Sequence, residues 1–409
     1  MTAQLFDYTD LLRPDLPPPA TKWSGFAQYN FVGGHNDADS VPVEELSAAA
    51  TRVLRREGKS LALYGLHSGP LGYLPLREFI AHKLARDAGI ICSPDEILIT
   101  SGSLQGLDLV NQVLLAANDT VIIERETYGG AITRLKRLGV NIVGVPVDHD
   151  GLSSAELSNA LRDLQSRGVR PKFIYTIPTV QNPSATVMSE MRRAEILELS
   201  EAYGVPIFED ECYADLVWNG GRPRALRAMT EDDRVIHIGS FSKTIAPALR
   251  IGYLVTGGRL MSRILAIKND GGSGALEQMI LAEYCQEHFD SHVRALRKTL
   301  RRKCDVLIDA LRAQFGDGVE FDDPAGGIFL WVKFPDAIDT TRLTQSALQS
   351  GVAINPGAEW TTDANIGQHR VRLCFAQPSE QIIREGITAL ATVSRREFGI
   401  PTQVAEIHR

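Results

Sequence analysis

The sequence predicts an α/β fold in which a mostly parallel central sheet is covered by helices and followed by a smaller α+β domain. Three observations carry this prediction. From residue 59 to about residue 285, short apolar runs alternate with amphipathic stretches, as in proteins whose crossover helices cover a parallel sheet. After about residue 290 the pattern changes to one long helical segment followed by widely spaced strands. At 409 residues, the chain is also long enough for two domains.

The first segment, residues 1–41, is predicted to be an irregular N-terminal arm. Its Pro-rich run RPDLPPPA (13–20) can neither continue a helix nor donate hydrogen bonds at the centre of a sheet. The next segment, 42–58, has helical periodicity and ends at Gly58, a residue type that is common at helix C-termini. We therefore expect the folded core to begin at residue 42.

Seven apolar runs in the predicted large domain, 42–288, are typical of strands that are buried on both faces. These runs lie at 96–100, 120–124, 141–147, 173–178, 205–210, 235–240 and 251–257. The predicted small domain, 289–409, begins with a helix over 291–314. Its predicted strands lie at 326–334, 351–357 and 369–376, before a final helix from residue 378. We expect the N-terminal arm to pack against this domain.

Composition and charge argue against several classes of function. The net charge of −7 lacks the cationic excess of a general nucleic-acid-binding surface, and the basic run 294–303 is interpreted as the solvated side of an amphipathic helix. No apolar run approaches the roughly 20 residues of a membrane span, and the N-terminus lacks the basic-then-apolar order of a signal peptide. We therefore expect a cytoplasmic protein that binds neither nucleic acid nor membrane.

The cysteines and histidines do not predict a metal site. The five cysteines are widely spaced and form no C-x-x-C pair, and the nine histidines form neither H-E-x-x-H nor H-x-H. This pattern favours free thiols in a reducing compartment over a disulfide framework or a zinc site. We expect no protein-bound metal.

The first candidate binding feature is the strand–turn–helix segment 97–115. The backbone N–H groups at the start of its helix, together with the Ser103 hydroxyl, would form an anion site. A structural turn into an N-capped helix is the simpler interpretation of this segment taken alone. The segment matches neither the P-loop nor the G-x-G-x-x-G pattern, which argues against Walker-type and Rossmann nucleotide sites.

Two further apolar runs are followed by polar side chains. Asn182 lies in the loop TIPTVQNPSAT, although turn chemistry alone explains an Asn-Pro pair. Glu209 and Asp210 end the run VPIFED, where a carboxylate is unfavourable unless it has a partner. Tyr213 follows three residues after Asp210 and could reach the same point. A structural salt bridge is the alternative interpretation of the two carboxylates.

The segment SFSKTIAPALRIGY collects groups that suit a phosphate and a carbonyl compound. A deprotonated lysine amine such as that of Lys243 forms a Schiff base with a carbonyl. Arg250 offers a rigid fork for phosphate, Ser240 and Ser242 add donors, and Gly252 permits close approach of the backbone. A solvated turn explains this segment equally well when it is considered alone.

The four features together predict one ligand. An anion-binding helix start, an asparagine loop, a strand-end aspartate and a reactive lysine are all required by a ligand that has a phosphate, a reactive aldehyde and a ring nitrogen. Pyridoxal 5′-phosphate has these three groups. We therefore expect this cofactor at the edge of the sheet where the strands end.

The motif S-x-S-K-x-x-x-P-x-x-R-x-G, which is intact from Ser240 to Gly252, resembles that of the fold-type I, class I/II aminotransferases. Within this family the chain looks most like the branch that holds 2-aminoadipate, aromatic and branched-chain aminotransferases. The likeness extends over nearly the whole chain past the arm, with the motifs in the family's order. It implies the fold of a fold-type I pyridoxal-phosphate-dependent transferase.

The resemblance implies roles for individual residues around the cofactor. Lys243 would bind it covalently and later move the α-proton of the substrate, and Asp210 would pair with the pyridine nitrogen. Tyr213 and Asn182 would bond to the phenolic oxygen, and Tyr128 would stack on the ring. The residues that would hold the phosphate are Ser103, Leu104, Gln105, Ser240, Ser242 and Arg250.

The resemblance also implies a substrate site and a dimer. Arg372 would bind the α-carboxylate of the substrate, with Asn182 and Gly34 beside it, and Tyr64 would reach the active site of a second subunit. We therefore expect a homodimer with shared active sites. Two segments depart from the family pattern: NPSA replaces N-P-T-G, and VGGHNDAD (32–39) lacks the proline of G-G-x-P. The second departure brings polar side chains towards the substrate, whose identity the sequence leaves open.

The implied activity is that of an aminotransferase (EC 2.6.1.-), which moves the amino group of an L-amino acid to a 2-oxo acid by a ping-pong mechanism. A lyase or a β/γ-substituting synthase is an alternative, because it would begin with the same lysine-assisted deprotonation. A remoter alternative is the effector domain of a transcription regulator. Such a regulator would need a DNA-binding domain, and only some forty residues precede the first predicted helix.

Overall fold

The computed structural model describes residues 6–13, 16–20 and 22–400. The other residues of the predicted arm and of the C-terminal end, which are 1–5, 14–15, 21 and 401–409, lie outside the described residues. The α-helices are α1 (Val43–Glu57), α2 (Leu74–Asp87), α3 (Ser103–Leu114), α4 (Gly129–Arg137), α5 (Ser154–Ser166), α6 (Glu190–Tyr203), α7 (Gly258–Ile267), α8 (Ala275–Phe315), α9 (Thr340–Gln349), α10 (Ala364–Gly367) and α11 (Glu380–Phe398). Among the described residues, no helix combines the length and the apolarity that a membrane crossing demands.

The strands follow the same alternation. They are β1 (Tyr29–Asn30), β2 (Ile97–Ser101), β3 (Thr120–Glu124), β4 (Asn141–Val145), β5 (Val147–Asp148), β6 (Gly151–Leu152), β7 (Ile174–Thr176), β8 (Ile207–Asp210), β9 (Val235–Ser240), β10 (Ile251–Val255), β11 (Phe329–Lys333), β12 (Val352–Ala353), β13 (Asn355–Pro356) and β14 (Arg370–Cys374). Seven of these strands form the central sheet, in the order β2-β10-β9-β8-β7-β3-β4. Only β10 runs antiparallel to its neighbours in this sheet, so the predicted mostly parallel arrangement is confirmed.

Apolar clusters cover both faces of the central sheet. Successive residues of a strand point to opposite faces. Val121 and Ile123 of β3 therefore pack in the cluster that contains residues of α3, α4 and α7, while Ile122 packs in the cluster that contains residues of α5 and α6. Because both faces are buried, the strands read as continuous apolar runs.

The small domain contains the antiparallel sheet β11-β14-β13 and receives the end of the arm. Strand β1 pairs in parallel with β12, and the buried Phe31 beyond it bonds to the backbones of Ala353 and Cys374. Helix α8 is continuous through the domain boundary that we propose at 288/289. Phe289 belongs to a large-domain cluster, whereas Leu300 belongs to the small-domain core.

A buried ion pair fastens the arm to α8. The Lys303 ammonium donates to Asp37 Oδ1 at 2.7 Å and to the carbonyl of Ala376 at 2.7 Å. The other oxygen of Asp37 accepts from the Ser40 hydroxyl at 2.5 Å. Asp37 and Lys303 are both buried. The pair therefore fixes the backbone just after Gly34, which reaches the cavity described below.

We predict that Asp37→Ala lowers the free energy of unfolding by about 3 kcal/mol, because it leaves the Lys303 ammonium buried without its counter-ion. The matched control is Asp39→Ala, which removes an exposed carboxylate two residues away and should change stability by less than about 0.5 kcal/mol. Urea denaturation followed by circular dichroism measures both. Equal effects for the two variants would contradict the role given to the ion pair.

Candidate active site

A cavity of about 330 Å³ lies where β7, β8 and β9 end, beneath the small domain. Parallel strands of an open sheet commonly form ligand sites at this edge. All but two of the predicted site residues line the cavity. The residues that line it are Gly34, Ser103, Leu104, Tyr128, Asn182, Asp210, Tyr213, Ser240, Ser242, Lys243, Arg250 and Arg372. The fold thus brings together residues that lie far apart in the sequence.

The start of α3, at Ser103 and Leu104, lines this cavity. The first N–H groups of a helix have no acceptor within the helix. Gly102 precedes α3 with a φ of 74°, a conformation that glycine adopts readily. Gly252 of β10 packs against this turn, and a Cβ atom there would lie 2.6 Å from the nitrogen of Ser103. The turn and β10 therefore approach each other as closely as the sequence predicted for Gly252.

Three side chains from the last residue of β9 and the segment after it complete an anion site: Ser240, Ser242 and Arg250. The Ser240 hydroxyl accepts a hydrogen bond from the Ser242 N–H at 3.0 Å, which fixes the turn. The Arg250 guanidinium donates to the carbonyls of Ser101 and Pro247, at 3.2 and 3.1 Å. Among the described residues, Arg250 has no carboxylate within ion-pair distance. Its charge is therefore available to an anion at the start of α3.

Lys243 presents its amine to the same cavity. Its Nζ donates to the carbonyl of Gly34 at 2.7 Å. A Cβ atom on Gly34 would lie 2.6 Å from that nitrogen, so a larger residue at position 34 would displace the amine. Burial lowers the pKa of the Lys243 ammonium below its usual 10.5, and the charges of Arg372 and Arg250 act in the same direction. A larger fraction of the amine is therefore neutral, and a neutral amine is the nucleophilic form.

Three consecutive carboxylates in and after β8 have different environments. Glu209 contacts His237 Nδ1 at 2.9 Å and lies 3.8 Å from Arg193, and Glu211 lies 3.1 Å from Arg222. Burial opposes the ionisation of Glu209, but His237 and Arg193 hold the pKa of that carboxyl below its ordinary value. The salt-bridge interpretation is therefore correct for Glu209.

Asp210 points to the opposite face of the sheet and has neutral partners. Its Oδ2 accepts from the Tyr175 hydroxyl at 2.8 Å, and its Oδ1 accepts from the Cys212 N–H at 3.2 Å. Burial raises the pKa of Asp210 above its ordinary value, and hydrogen bonds from the side chains of Cys212 and Tyr175 oppose that rise. No cation among the described residues lies within ion-pair distance of Asp210. The carboxylate is thus free to bind a cationic group in the cavity.

Arg372 is the converse case, a buried guanidinium with neutral partners. It donates to Asn182 Oδ1 at 3.2 Å, to the carbonyl of Gly33 at 2.7 Å and to Asn355 Oδ1 at 3.0 Å. The centre of the Trp360 ring lies 3.5 Å from Cζ of Arg372, and Nε of Arg372 has no hydrogen-bond partner among the residues that the structure describes. Burial lowers the pKa of Arg372 below its ordinary value. Within the described residues no carboxylate pairs with it, so it can accept one from a ligand.

Tyr213, Asn182 and Tyr128 form the remaining polar wall of the cavity. The Asn182 amide donates to the Tyr213 hydroxyl at 3.4 Å. Burial raises the pKa of Tyr213 well above its ordinary value, so its phenol stays protonated and can donate. The Tyr128 ring lies 6.1 Å from the ring of Trp360. These groups can bond to and cover a planar ligand.

Two predicted residues lie outside the cavity in this chain. The Gln105 side chain accepts from the N–H of Ser101 at 2.7 Å and donates to Asp270, so it braces a loop. Tyr64 is 94% exposed and lines a separate cavity of about 790 Å³. Neither side chain contributes to the cavity that contains Lys243.

The sequence did not single out Trp360, Asn355, Cys212 or Tyr175, although all four contact the site. Asn355 pairs with Arg372 across two small-domain strands, which only the sheet register reveals. Trp360 follows the same segment and has no motif of its own. Cys212 lies between Asp210 and Tyr213, so its place in the sequence was the only available signal. Tyr175 lies in the strand beside that of Asp210, and only the strand pairing brings the two together.

The fold and the site are those of a fold-type I aminotransferase. The chain belongs to the aminotransferase class I and II family, whose family model matches residues 25–390. The chain is 32% identical over 372 residues to aromatic-amino-acid aminotransferase 1 of Thermococcus litoralis, and the aligned region covers 90% of this chain and 88% of the relative. The protein is accordingly an enzyme of the aminotransferase class.

Solved structures give the same assignment. The α-aminoadipate aminotransferase LysN of Thermus thermophilus, complexed with N-(5′-phosphopyridoxyl)-L-leucine, superposes with a TM-score of 0.82 at 31% identity, covering 90% of this chain and 92% of that chain.

The chain is also similar to the uncharacterised HTH-type transcriptional regulator YisV of Bacillus subtilis, at 33% identity over 80% of this chain and 66% of the regulator.

We predict that Gly252→Ala lowers the affinity for pyridoxal phosphate, the ligand that the sequence predicts, by about tenfold or more. The added methyl group would push the start of α3 away from β10 and misplace its donors. The control is Gly258→Ala at the start of α7, where a Cβ atom meets nothing within 4 Å. Titration of the cofactor-free protein, followed by absorbance, measures both. Unchanged affinity in Gly252→Ala would refute the anion site.

Proposed function

We propose that the protein binds pyridoxal 5′-phosphate in this cavity and transfers the amino group of an L-amino acid to a 2-oxo acid. One observation carries the proposal: within the described residues, the buried Asp210 and the buried Arg372 have only neutral partners, and both line one cavity. A buried charge without a counter-ion is unfavourable until a ligand supplies one. A protonated pyridine nitrogen and the α-carboxylate of an amino acid are the counter-ions that these two side chains require.

The residues of the cavity fit this cofactor. When bound, it supplies an electron sink for the charge that develops as the α-proton leaves. Asp210 would accept a hydrogen bond from the ring nitrogen and keep it protonated, and Tyr128 would cover the ring. The residues that would hold the phosphate at the start of α3 are Ser103, Leu104, Ser240, Ser242 and Arg250.

Lys243 has two tasks in this proposal. Its Nζ would hold the cofactor covalently in the resting enzyme, and the free amine would accept the α-proton of the substrate and later give it back. The lowered pKa of the amine supports both tasks, since each requires the neutral form. The Gly34 carbonyl, 2.7 Å away, orients the nitrogen.

Arg372 positions both substrates. Its guanidinium is fixed by Asn182, Asn355 and the ring of Trp360, so it presents its remaining donors in one orientation. An amino acid and a 2-oxo acid share the carboxylate that this group recognises. The two substrates therefore use one site in turn, which gives ping-pong kinetics.

We also propose that two copies of the chain form a dimer with shared active sites. Apolar side chains of the arm are exposed in the single chain, including Phe6, Tyr8, Leu11, Trp23 and Phe26. The exposed Tyr64 borders a cavity of about 790 Å³, lined also by residues 270–275. A second copy would cover these surfaces and bring Tyr64 to the neighbouring site, as the family resemblance implies.

The test of the proposed function is product analysis with a panel of L-amino acids. Incubation with 2-oxoglutarate should give a new amino acid in stoichiometric amount with the 2-oxo acid of the donor. Without an acceptor, the amount of 2-oxo acid should be limited to the number of active sites, as a ping-pong mechanism requires. Lys243→Ala should abolish turnover and the visible absorbance of the holoenzyme, because it removes the covalent bond and the base.

Other outcomes would favour the alternatives. Release of pyruvate or ammonia without an acceptor would indicate a lyase or a substituting synthase, which uses the same deprotonation. Binding of amino acids without turnover would favour the regulator-type domain that the likeness to YisV raises. A wild-type protein that stays colourless in excess pyridoxal phosphate would refute the cofactor assignment.

A further inference from the structure

We propose that Tyr175 is a positioning residue for the reaction: its hydroxyl fixes the Asp210 carboxylate and keeps it ionised and unpaired, ready for the ring nitrogen of the cofactor. The inference rests on the proposed function, because it gives Tyr175 a role only through the contact of Asp210 with that ring. Neither the sequence motifs nor the family resemblance assigned a role to Tyr175.

The sheet places the two side chains together. Strands β7 and β8 are parallel neighbours in which Tyr175 lies opposite Phe208, two residues before Asp210 on the same face. The Tyr175 hydroxyl donates to Asp210 Oδ2 at 2.8 Å. Tyr175 is 1% exposed and its ring packs edge-on against Phe208, so its orientation is fixed by the core. A hydrogen bond from a buried neutral donor to a charged acceptor is among the stronger hydrogen bonds in proteins.

The second oxygen of Asp210 is held in a similar way. Oδ1 accepts from the N–H of Cys212 at 3.2 Å, and the thiol of Cys212 also bonds to the carboxylate. Within the described chain the carboxylate therefore has three donors, and all of them are neutral. The adjacent Glu209 and Glu211, by contrast, have His237, Arg193 and Arg222 as partners.

The choice of neutral donors has a chemical consequence. A cation next to Asp210 would also keep it ionised, but it would cancel the negative charge that the ring nitrogen must meet. A phenol stabilises the carboxylate without cancelling its charge. Burial raises the pKa of Tyr175 well above its ordinary value, so this phenol remains a donor throughout the working pH range. Tyr175 thus offsets the cost of burying the carboxylate and leaves its charge for the cofactor.

The decisive measurement is the dissociation constant of pyridoxal phosphate from the cofactor-free protein as a function of pH. Tyr175→Phe should weaken binding about tenfold or more near neutral pH, since a charge-assisted hydrogen bond is lost. It should also raise the pKa of Asp210. Because binding requires the carboxylate, the acid-side loss of affinity should begin at a higher pH than in the wild type.

The other titratable groups around Tyr175 and Asp210 are left unchanged by the substitutions, so their charges do not account for a difference between variants. The groups that act on Asp210 or Tyr175 are Cys212, Tyr213, His237, Tyr128 and Glu124. The matched control is Tyr253→Phe, which removes another buried phenol hydroxyl from the same sheet and should leave the pH profile unchanged. Unfolding midpoints of both variants separate an effect on binding from an effect on folding.

A double-mutant cycle shows whether Tyr175 acts through Asp210. Asp210→Asn should weaken cofactor binding strongly, and Tyr175→Phe added to it should have a much smaller effect than in the wild type. Replacement of Tyr175 by 3-fluorotyrosine introduces a more acidic phenol of nearly the same size, which is a stronger hydrogen-bond donor. The acid-side loss of cofactor affinity should therefore begin at a lower pH than in the wild type. This variant preserves the test if Tyr175→Phe fails to fold.

The outcomes separate this inference from the proposed function. An unchanged pH profile in both Tyr175 variants, with Asp210→Asn still impaired, would overturn the role of Tyr175 and leave the proposed function intact. An equal effect of Tyr175→Phe in the Asp210→Asn background would also overturn it, because Tyr175 would then act independently of the carboxylate. Normal cofactor binding by Asp210→Asn would overturn the proposed function itself.

Discussion

Two buried charges that have no counter-ion in the described part of the chain are the constraint on which the rest of the site depends. Asp210 ends a strand of the central sheet and Arg372 lies in a strand of the small domain, and the partners of both are neutral. The penalty for burying one ion without a partner is several kcal/mol, so the surrounding fold must hold each charge in place with hydrogen bonds. Asn182 and Asn355 do this for Arg372, as Tyr175 and Cys212 do for Asp210. The charges then remain available to a ligand that carries both complementary groups.

The architecture keeps these charges from pairing with others. In β8, alternation of side chains directs Glu209 to one face, where it meets His237 and Arg193, and directs Asp210 to the other. Helix α8 passes from the large domain into the small domain, and its Lys303 binds Asp37 of the arm. The arm in turn presents the carbonyl groups that orient Lys243 and Arg372. Elements that looked separate in the sequence therefore all converge on the cavity.

Much of the fold could be predicted because buried parallel strands read as continuous apolar runs. The strand predicted over 205–210, for example, is observed as Ile207–Asp210 and ends at Asp210 as expected, and the first helix differs from the prediction by one residue at each end. The predicted strand over 351–357 instead forms two short strands, β12 and β13. They separate because β12 pairs with the arm whereas β13 pairs with β14. Such partners lie far away in the chain, so local periodicity does not reveal them.

The site was predictable to the extent that a motif carries it. Gly252 and Lys243 could be identified because their spacing is specific, and the close approach at Gly252 is what a missing side chain permits. The strand-end position alone did not distinguish Asp210 from Glu209, and only the family resemblance did, since the physical distinction is the face of β8 that each side chain occupies. Trp360 could not be identified, because its contact with Arg372 arises from tertiary packing. Gln105 was assigned from the resemblance, whereas its side chain braces a loop in this chain.

The most direct test of the unpaired-charge account is the stability of the cofactor-free protein after neutralising two neighbouring carboxylates. Asp210→Asn should raise the free energy of unfolding by about 1 kcal/mol, because it removes a buried charge for which the described residues supply no counter-ion. Glu209→Gln should lower it by about 3 kcal/mol, because it removes the anion that pairs with His237 and one of the two carboxylates within ion-pair distance of Arg193. The predicted result is that the two variants change the free energy of unfolding, measured by urea denaturation, in opposite directions. A loss of stability in Asp210→Asn as large as that in Glu209→Gln would contradict the account.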